Sequence, residues 1–176
     1  LKENGEDSAL SAEENLNNQY YLTGLAAYSS GKKDIAKEYF SKLYEGGTDE
    51  VAVYEYMYKM EAEDSDAETA YKYLEEGRKK VPEEVGLLFA EINHFLTLGK
   101  SEQLIDKIKQ AIKAEPENVS LYNVLGNTYE GLSRAAAESG DDAKVIEYQK
   151  LSFEEFKKSF GIDPTNVVAI YSMGQI

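Results

Sequence analysis

EPENVSLYNV, residues 115–124, is the stretch from which the fold can be read. Near copies of its first half stand at 81–89 (VPEEVGLLF) and at 163–171 (DPTNVVAIY). The chain has three prolines, Pro82, Pro116 and Pro164, and each lies in one of these copies. Proline lacks the backbone donor and keeps the residue before it out of helical geometry. Set after a helix it stops that helix, and the acidic, Asn or Thr residues behind it cap the next one. The phrase therefore reads as punctuation between structural units. From Val85 to Val119 is 34 residues, and from Val119 to Val167 is 48, the same period lengthened by 14. Counting back by 34 reaches Val51 and then Asn17. A period of that length marks a repeat architecture.

Between the phrases the pattern is helical. Ile35, Ala36, Tyr39, Phe40 and Leu43 recur at three- and four-residue steps, the spacing of one helix face. GGTDE at 46–50 ends that helix, because glycine permits the left-handed turn that helix ends favour. SSGKKD, EDSD, LGKS and ESGDD are the polar turns inside each period. Each period thus predicts two antiparallel helices with a short turn between them. Ser11 with Glu14 predicts a capping box for the first helix. The extra 14 residues fall between Tyr129 and Ser152, where SGDD is the only break. Ala135–Ala137 and the Val145, Ile146, Tyr148 pattern argue against a loose loop. The expectation is seven added residues on each helix, about two turns apiece.

Composition narrows the function. Nineteen basic against 33 acidic residues give a net charge of −14, which opposes nucleic-acid phosphates and anionic membrane surfaces. Neutral or basic polypeptides are the compatible partners. There is no cysteine, so no disulfide framework, thiolate metal site or cysteine nucleophile is available. No apolar run approaches the ~20 residues of a membrane span, so no membrane insertion is expected. No signal peptide is visible, and a chain that begins at Leu1 points to an upstream piece removed by processing or truncation. Residues 1–10 are polar and aperiodic and read as a mobile tail.

Catalytic and metal chemistry finds no foothold. His94 is the only histidine and stands beside Phe95 on a core-forming helix, which reads as structural. DSDAETAYKYLE at 64–75 carries acids at several calcium-loop places but lacks the central glycine, and its second half is helical. Glu83/Glu84 and Asp141/Asp142 lie at helix starts, where the helix dipole favours acids. There is no phosphate loop. The expectation is no catalytic residue, no metal and no cofactor.

Tyr122-x2-Leu125-Gly126-x2-Tyr129 resembles the first-helix signature of the tetratricopeptide repeat, with Tyr where Trp is common, and Ala36-x3-Phe40 resembles its second-helix signature. Gly24, Gly31, Ala70, Pro82, Gly99, Ala111 and Pro116 stand at the family's offsets. The resemblance covers about 17–176. Departures are Met57-Tyr58 and Glu61 in the second repeat, Glu91-Ile92 and Leu104 in the third, and Thr48 in place of the first repeat's proline. The acidic, Tyr-rich style also resembles exported tetratricopeptide-repeat proteins of Gram-negative bacteria, which implies an exported or periplasmic rather than a cytoplasmic location.

The resemblance implies an all-α, right-handed superhelix of about 4.5 helical hairpins, forming one domain over 11–176. The repeats are expected at about 17–50, 51–84, 85–118 and 119–166, the fourth with both helices lengthened, and 167–176 forms a half-repeat. It also implies a non-catalytic scaffold whose first helices line a concave groove for a polypeptide. By the family's register that groove takes Tyr21, Leu25 and Tyr28 from the first repeat, Glu55 and Lys59 from the second, Phe89 and Asn93 from the third, and Asn123, Asn127 and Glu130 from the fourth. Asn93 and Asn127 are equivalent, 34 residues apart. Each could bridge a peptide backbone with its amide or bond locally between helices. Aromatic neighbours would add rigid apolar contact. The family's carboxylate-clamp positions carry Tyr21, Leu25, Tyr56, Gly86 and Ala90, with Lys59 the only cation near, so recognition of a C-terminal carboxylate is rejected. Two alternatives stand beside the groove. The half-repeat leaves Val168, Ile170, Tyr171 and Ile176 as an apolar stripe through which copies could assemble. The chain could also be an accessory module of a larger protein.

Overall fold

The computed structural model describes residues 11–64 and 66–176. The tail expected over 1–10 lies outside the described residues. Among the described residues there are nine α-helices and no strand. They are α1 (Ala12–Ser29), α2 (Lys33–Glu45), α3 (Val51–Asp64), α4 (Ala67–Lys80), α5 (Val85–Thr97), α6 (Ser101–Ala114), α7 (Val119–Glu138), α8 (Asp142–Ile162) and α9 (Val167–Gln175). Four hairpins, α1/α2 to α7/α8, are followed by a single helix. The chain divides into two compact units, one ending at Leu87 and the other beginning at Leu88, inside α5.

Helices α3, α5, α7 and α9 begin at Val51, Val85, Val119 and Val167, the last three inside copies of the punctuating phrase. The chemistry of the phrase is visible at each junction. Asn118 Oδ1 accepts from the Ser120 amide at 3.1 Å, and Asn166 Oδ1 accepts from the amides of Val168 (3.0 Å) and Ala169 (3.2 Å). Glu84 Oε1 accepts from the Gly86 amide at 3.1 Å. These bonds satisfy donors that a helix start leaves open. The expected capping box is present, with Glu14 N to Ser11 Oγ at 3.1 Å and Ser11 N to Glu14 Oε2 at 2.6 Å. It extends α1 back to Ala12, several residues ahead of the repeat's start. Of the two glycines behind α2, only Gly47 is left-handed, at φ 72°; Gly46 keeps helical geometry.

The fourth hairpin carries the expected lengthening. α5 and α6 have 13 and 14 residues, whereas α7 and α8 have 20 and 21. Equal lengthening keeps the base of the hairpin in register. In the first repeat Gly24 packs on Phe40 so closely that a methyl group there would lie 2.8 Å from the ring. In the fourth, Gly126 meets Phe156 at the same 2.8 Å. Phe40, Leu74, Ile108 and Phe156 occupy one repeat position and are all 0% exposed. Burial of such a side chain contributes about 1.5–3 kcal/mol, and this position supplies it in every hairpin. Above Gly126 the added turns are held by Ser133, Ala136, Val145 and Tyr148. The Tyr148 ring stacks on Tyr129 at 6.3 Å, and Ser133 Oγ donates to the Val145 carbonyl at 3.4 Å.

The departures from the repeat pattern have local compensations. Glu91, only 1% exposed, accepts from Lys107 Nζ of α6 at 2.8 Å. The fourth repeat puts serines on the buried face of α8, and each is satisfied: Ser152 Oγ donates to the Gly126 carbonyl (3.0 Å) and Ser159 Oγ to Asn123 Oδ1 (2.7 Å).

Candidate functional site

In the N-terminal unit, Tyr21, Leu25 and Tyr28 follow one another at four- and three-residue steps on α1 and are half-buried. They rest on a core of Phe40, Leu43, Val53, Met57 and Met60. Their rings join an aromatic set. Tyr21 lies 6.4 Å from Phe40, Tyr28 lies 4.7 Å from Tyr56 of α3, and Tyr56 stacks parallel on Phe40 at 4.9 Å. Beside Tyr56 is the half-buried Glu55. One turn on, the exposed Lys59 places Nζ 3.4 Å from Glu55 Oε2 and 5.3 Å from the centre of the Tyr56 ring. Burial raises the Tyr21 phenol above its ordinary pKa of 10.0, and the nearby carboxylates of Glu50 and Glu55 add to the rise. A methyl group on Gly86, at the start of α5, would lie 3.3 Å from Glu84 Oε1 and 3.4 Å from Glu55 Oε1. This face is thus aromatic at its base and carboxylate-rich at its edge, with one lysine across both.

In the C-terminal unit, Phe89 is half-buried and Asn93 exposed on α5, and the Asn93 carbonyl accepts from Thr97 Oγ1 at 2.9 Å. On α7, Asn127 is exposed and Asn123 half-buried. Asn123 is engaged within the fold, because its Oδ1 accepts from Ser159, whose hydroxyl in turn accepts from Asn166 Nδ2 at 2.9 Å. That chain ties α7 to α8 and to the cap of α9. Glu130 lines a cavity of about 200 Å³ with Ser133, Arg134, Gln149, Gln175 and Ile176. On α9, Ala169 and Ser172 are buried, whereas Val168, Ile170, Tyr171 and Ile176 are all exposed, together with Val167 at 75%.

Sequence reasoning missed two features. One is the aromatic role of Tyr56, which the register places only at a carboxylate-clamp position; the alternating Tyr54, Tyr56 and Tyr58 of α3 was the available signal. The other is a recurring donor to the carbonyl at the punctuating phrase. Tyr54 Oη donates to the Thr48 carbonyl (2.7 Å) and Tyr122 Oη to that of Pro116 (2.8 Å). In the third repeat the equivalent residue is Leu88, and Arg78 Nη1 donates to the Pro82 carbonyl instead (2.7 Å). Nothing in the family signature distinguishes these hydroxyls from ring packing alone.

Among the described residues no group of three or more His, Cys, Asp or Glu side chains is placed to hold a metal ion, and no helix is long and apolar enough to cross a membrane.

A scan against protein-family models gives no match, and neither does a search of curated proteins. Solved structures do match in fold. A crystal structure of MamA protein aligns at TM-score 0.66 with 16% identity, over 91% of this chain and 80% of that one. MamA from residue 41 to its end, from Desulfovibrio magneticus RS-1, aligns at 0.66 with 15% identity, over 95% and 85%. YrrB, a TPR protein with an unusual peptide-binding site, aligns at 0.59 with 14% identity, over 90% and 74%. Together with the hairpins, their spacing and their Gly–Phe contacts, these likenesses establish that the chain has the tetratricopeptide-repeat fold.

Proposed function

We propose that this chain is a non-catalytic scaffold that holds a polypeptide against the faces of its first helices. The observation that carries this reading is the strip of Tyr21, Leu25, Tyr28 and Tyr56, rigid rings packed on the core beneath and left partly open above. Half-buried tyrosines offer apolar area at low entropic cost, the usual anchor of a peptide interface. Asn93 and Asn127 supply exposed amides for a peptide backbone, whereas Asn123 has its acceptor engaged and contributes less. YrrB's peptide-binding site, on the same fold, supports the reading. The net charge of −14 favours neutral or basic sequences. The test is fluorescence anisotropy with basic and neutral peptides at low and high salt. Tyr28→Ala combined with Asn93→Ala and Asn127→Ala is expected to weaken binding about tenfold or more while the helical circular-dichroism signal persists. Unchanged affinity in that variant would sink the reading.

A second reading is self-association through α9, favoured by Val167 and Tyr171, which are 75% and 67% exposed. Sedimentation velocity across rising concentration is expected to show a dimer that Ile170→Glu abolishes. A monomer at all concentrations would remove this alternative.

A further inference from the structure

We propose that the α1/α3 face of the N-terminal unit is a receptor for an arginine side chain of a basic peptide, with Lys59 as its internal competitor. The proposal rests on the polypeptide-binding reading above and adds the chemistry of the residue recognised. Three observations meet at one place. Tyr56, parallel on Phe40 and 4.7 Å from Tyr28, forms an aromatic base for a flat group. Glu55 brings a carboxylate to the same lysine that covers the ring, and its Oε1 and Glu84 Oε1 flank one point at Gly86. A cation already occupies the spot, since Lys59 Nζ sits 5.3 Å over the Tyr56 ring and 3.4 Å from Glu55.

That resident cation is poorly held. Its contact with Glu55 is long, its side chain is 49% exposed, and the pair is an i,i+4 contact on one helix. Pairs of this kind contribute little, because water competes and a long side chain must be ordered. A guanidinium suits the place better. It is planar, is less strongly hydrated than an ammonium, stacks on aromatic rings and bonds a carboxylate through two parallel N–H groups. An incoming arginine would release Lys59 to solvent at small cost and take Glu55 in a two-point contact.

The experiment starts from random short peptides displayed and selected on the intact chain. Selected sequences are synthesised with arginine, with lysine and with citrulline, the uncharged analogue of arginine, and titrated by fluorescence anisotropy. The expected result is enrichment of arginine, with about tenfold weaker binding of the citrulline peptide and an intermediate loss with lysine. Lys59→Met is expected to tighten the arginine peptide severalfold, because the competitor is gone. Glu55→Gln is expected to weaken it and to erase the difference between arginine and citrulline. Equal binding of arginine and citrulline peptides, or unchanged or weaker binding in Lys59→Met, overturns the proposal. Selected peptides without arginine that still lose affinity in Tyr28→Ala would overturn it and leave the polypeptide-binding reading standing. A selection that yields no binder overturns both.

Discussion

Gly126 is the smallest residue on which the fourth hairpin depends. Phe156 fills the space that a side chain would take, and a methyl group there would meet the ring at 2.8 Å. The ring is fully buried. Gly126→Ala is therefore expected to destabilise the protein by about 1–3 kcal/mol, read from the urea unfolding midpoint. Gly131, on the same helix with no atom near its missing side chain, is the control. Gly131→Ala should leave stability unchanged or raise it by about 0.5–1 kcal/mol, the helix-propensity gain. An equal loss in both would mean that the Phe156 contact is not what Gly126 serves. At Tyr122 the hydroxyl has a separate role from the ring. Tyr122→Phe keeps the packing but removes the donor to the Pro116 carbonyl, and should cost about 0.5–1.5 kcal/mol. Unfolding of Tyr122→Phe indistinguishable from the parent chain would show that water satisfies that carbonyl equally well.

At the scale of elements, the lengthened hairpin is a matter of matched lengths. α7 and α8 each exceed α5 and α6 by seven residues. Seven residues is about two turns, so the helix faces return to the same orientation and Gly126 stays on Phe156. Deleting 130–136 and 145–151 together is expected to give a stable fourth hairpin of ordinary length, with a cooperative melt. Deleting 130–136 alone would leave α8 two turns longer than its partner and expose its apolar face. That variant should melt markedly lower or bind a dye for exposed apolar surface. Equal behaviour of the two deletions would show that the hairpin is not held by register. The buried serines of α8 belong to the same logic. Ser152 and Ser159 occupy positions that are Ala36 and Leu43 in the first repeat, and their bonds to α7 make the longer hairpin specific in register as well as apolar.

At the scale of the whole molecule, tyrosine is unevenly distributed. Ten of the 14 tyrosines precede Leu87, in the N-terminal unit. Burial raises the phenol pKa of Tyr21, Tyr44, Tyr54 and Tyr58 above 10.0, and at Tyr44 the hydrogen bond to Glu76 adds to it. The folded state holds these protons beyond the pH at which the unfolded chain gives them up. Their stabilising contribution is therefore complete below pH 10.0 and is lost as pH climbs through the raised values. Near-ultraviolet circular dichroism during alkaline titration should show the tyrosine signal of the N-terminal unit collapsing above that point, before the helices of the C-terminal unit unfold. Loss of both together, or of the C-terminal unit first, would contradict this.

The repeat length, the helical hairpins, their caps and the doubled lengthening are local matters, and the chain alone determined them. Proline geometry, helix periodicity and capping act between residues a few positions apart, so they are legible in a string. The choice of Tyr21, Leu25 and Tyr28 as groove residues came instead from the resemblance to the tetratricopeptide repeat and its register. What only the tertiary structure decided is which side chains from different helices meet. Phe40 supporting Tyr56 and Ser159 taking the acceptor of Asn123 both depend on contacts across helices. Such contacts depend on the crossing of helices and on side-chain volume at each repeat position, and neither has a period that sequence spacing can display.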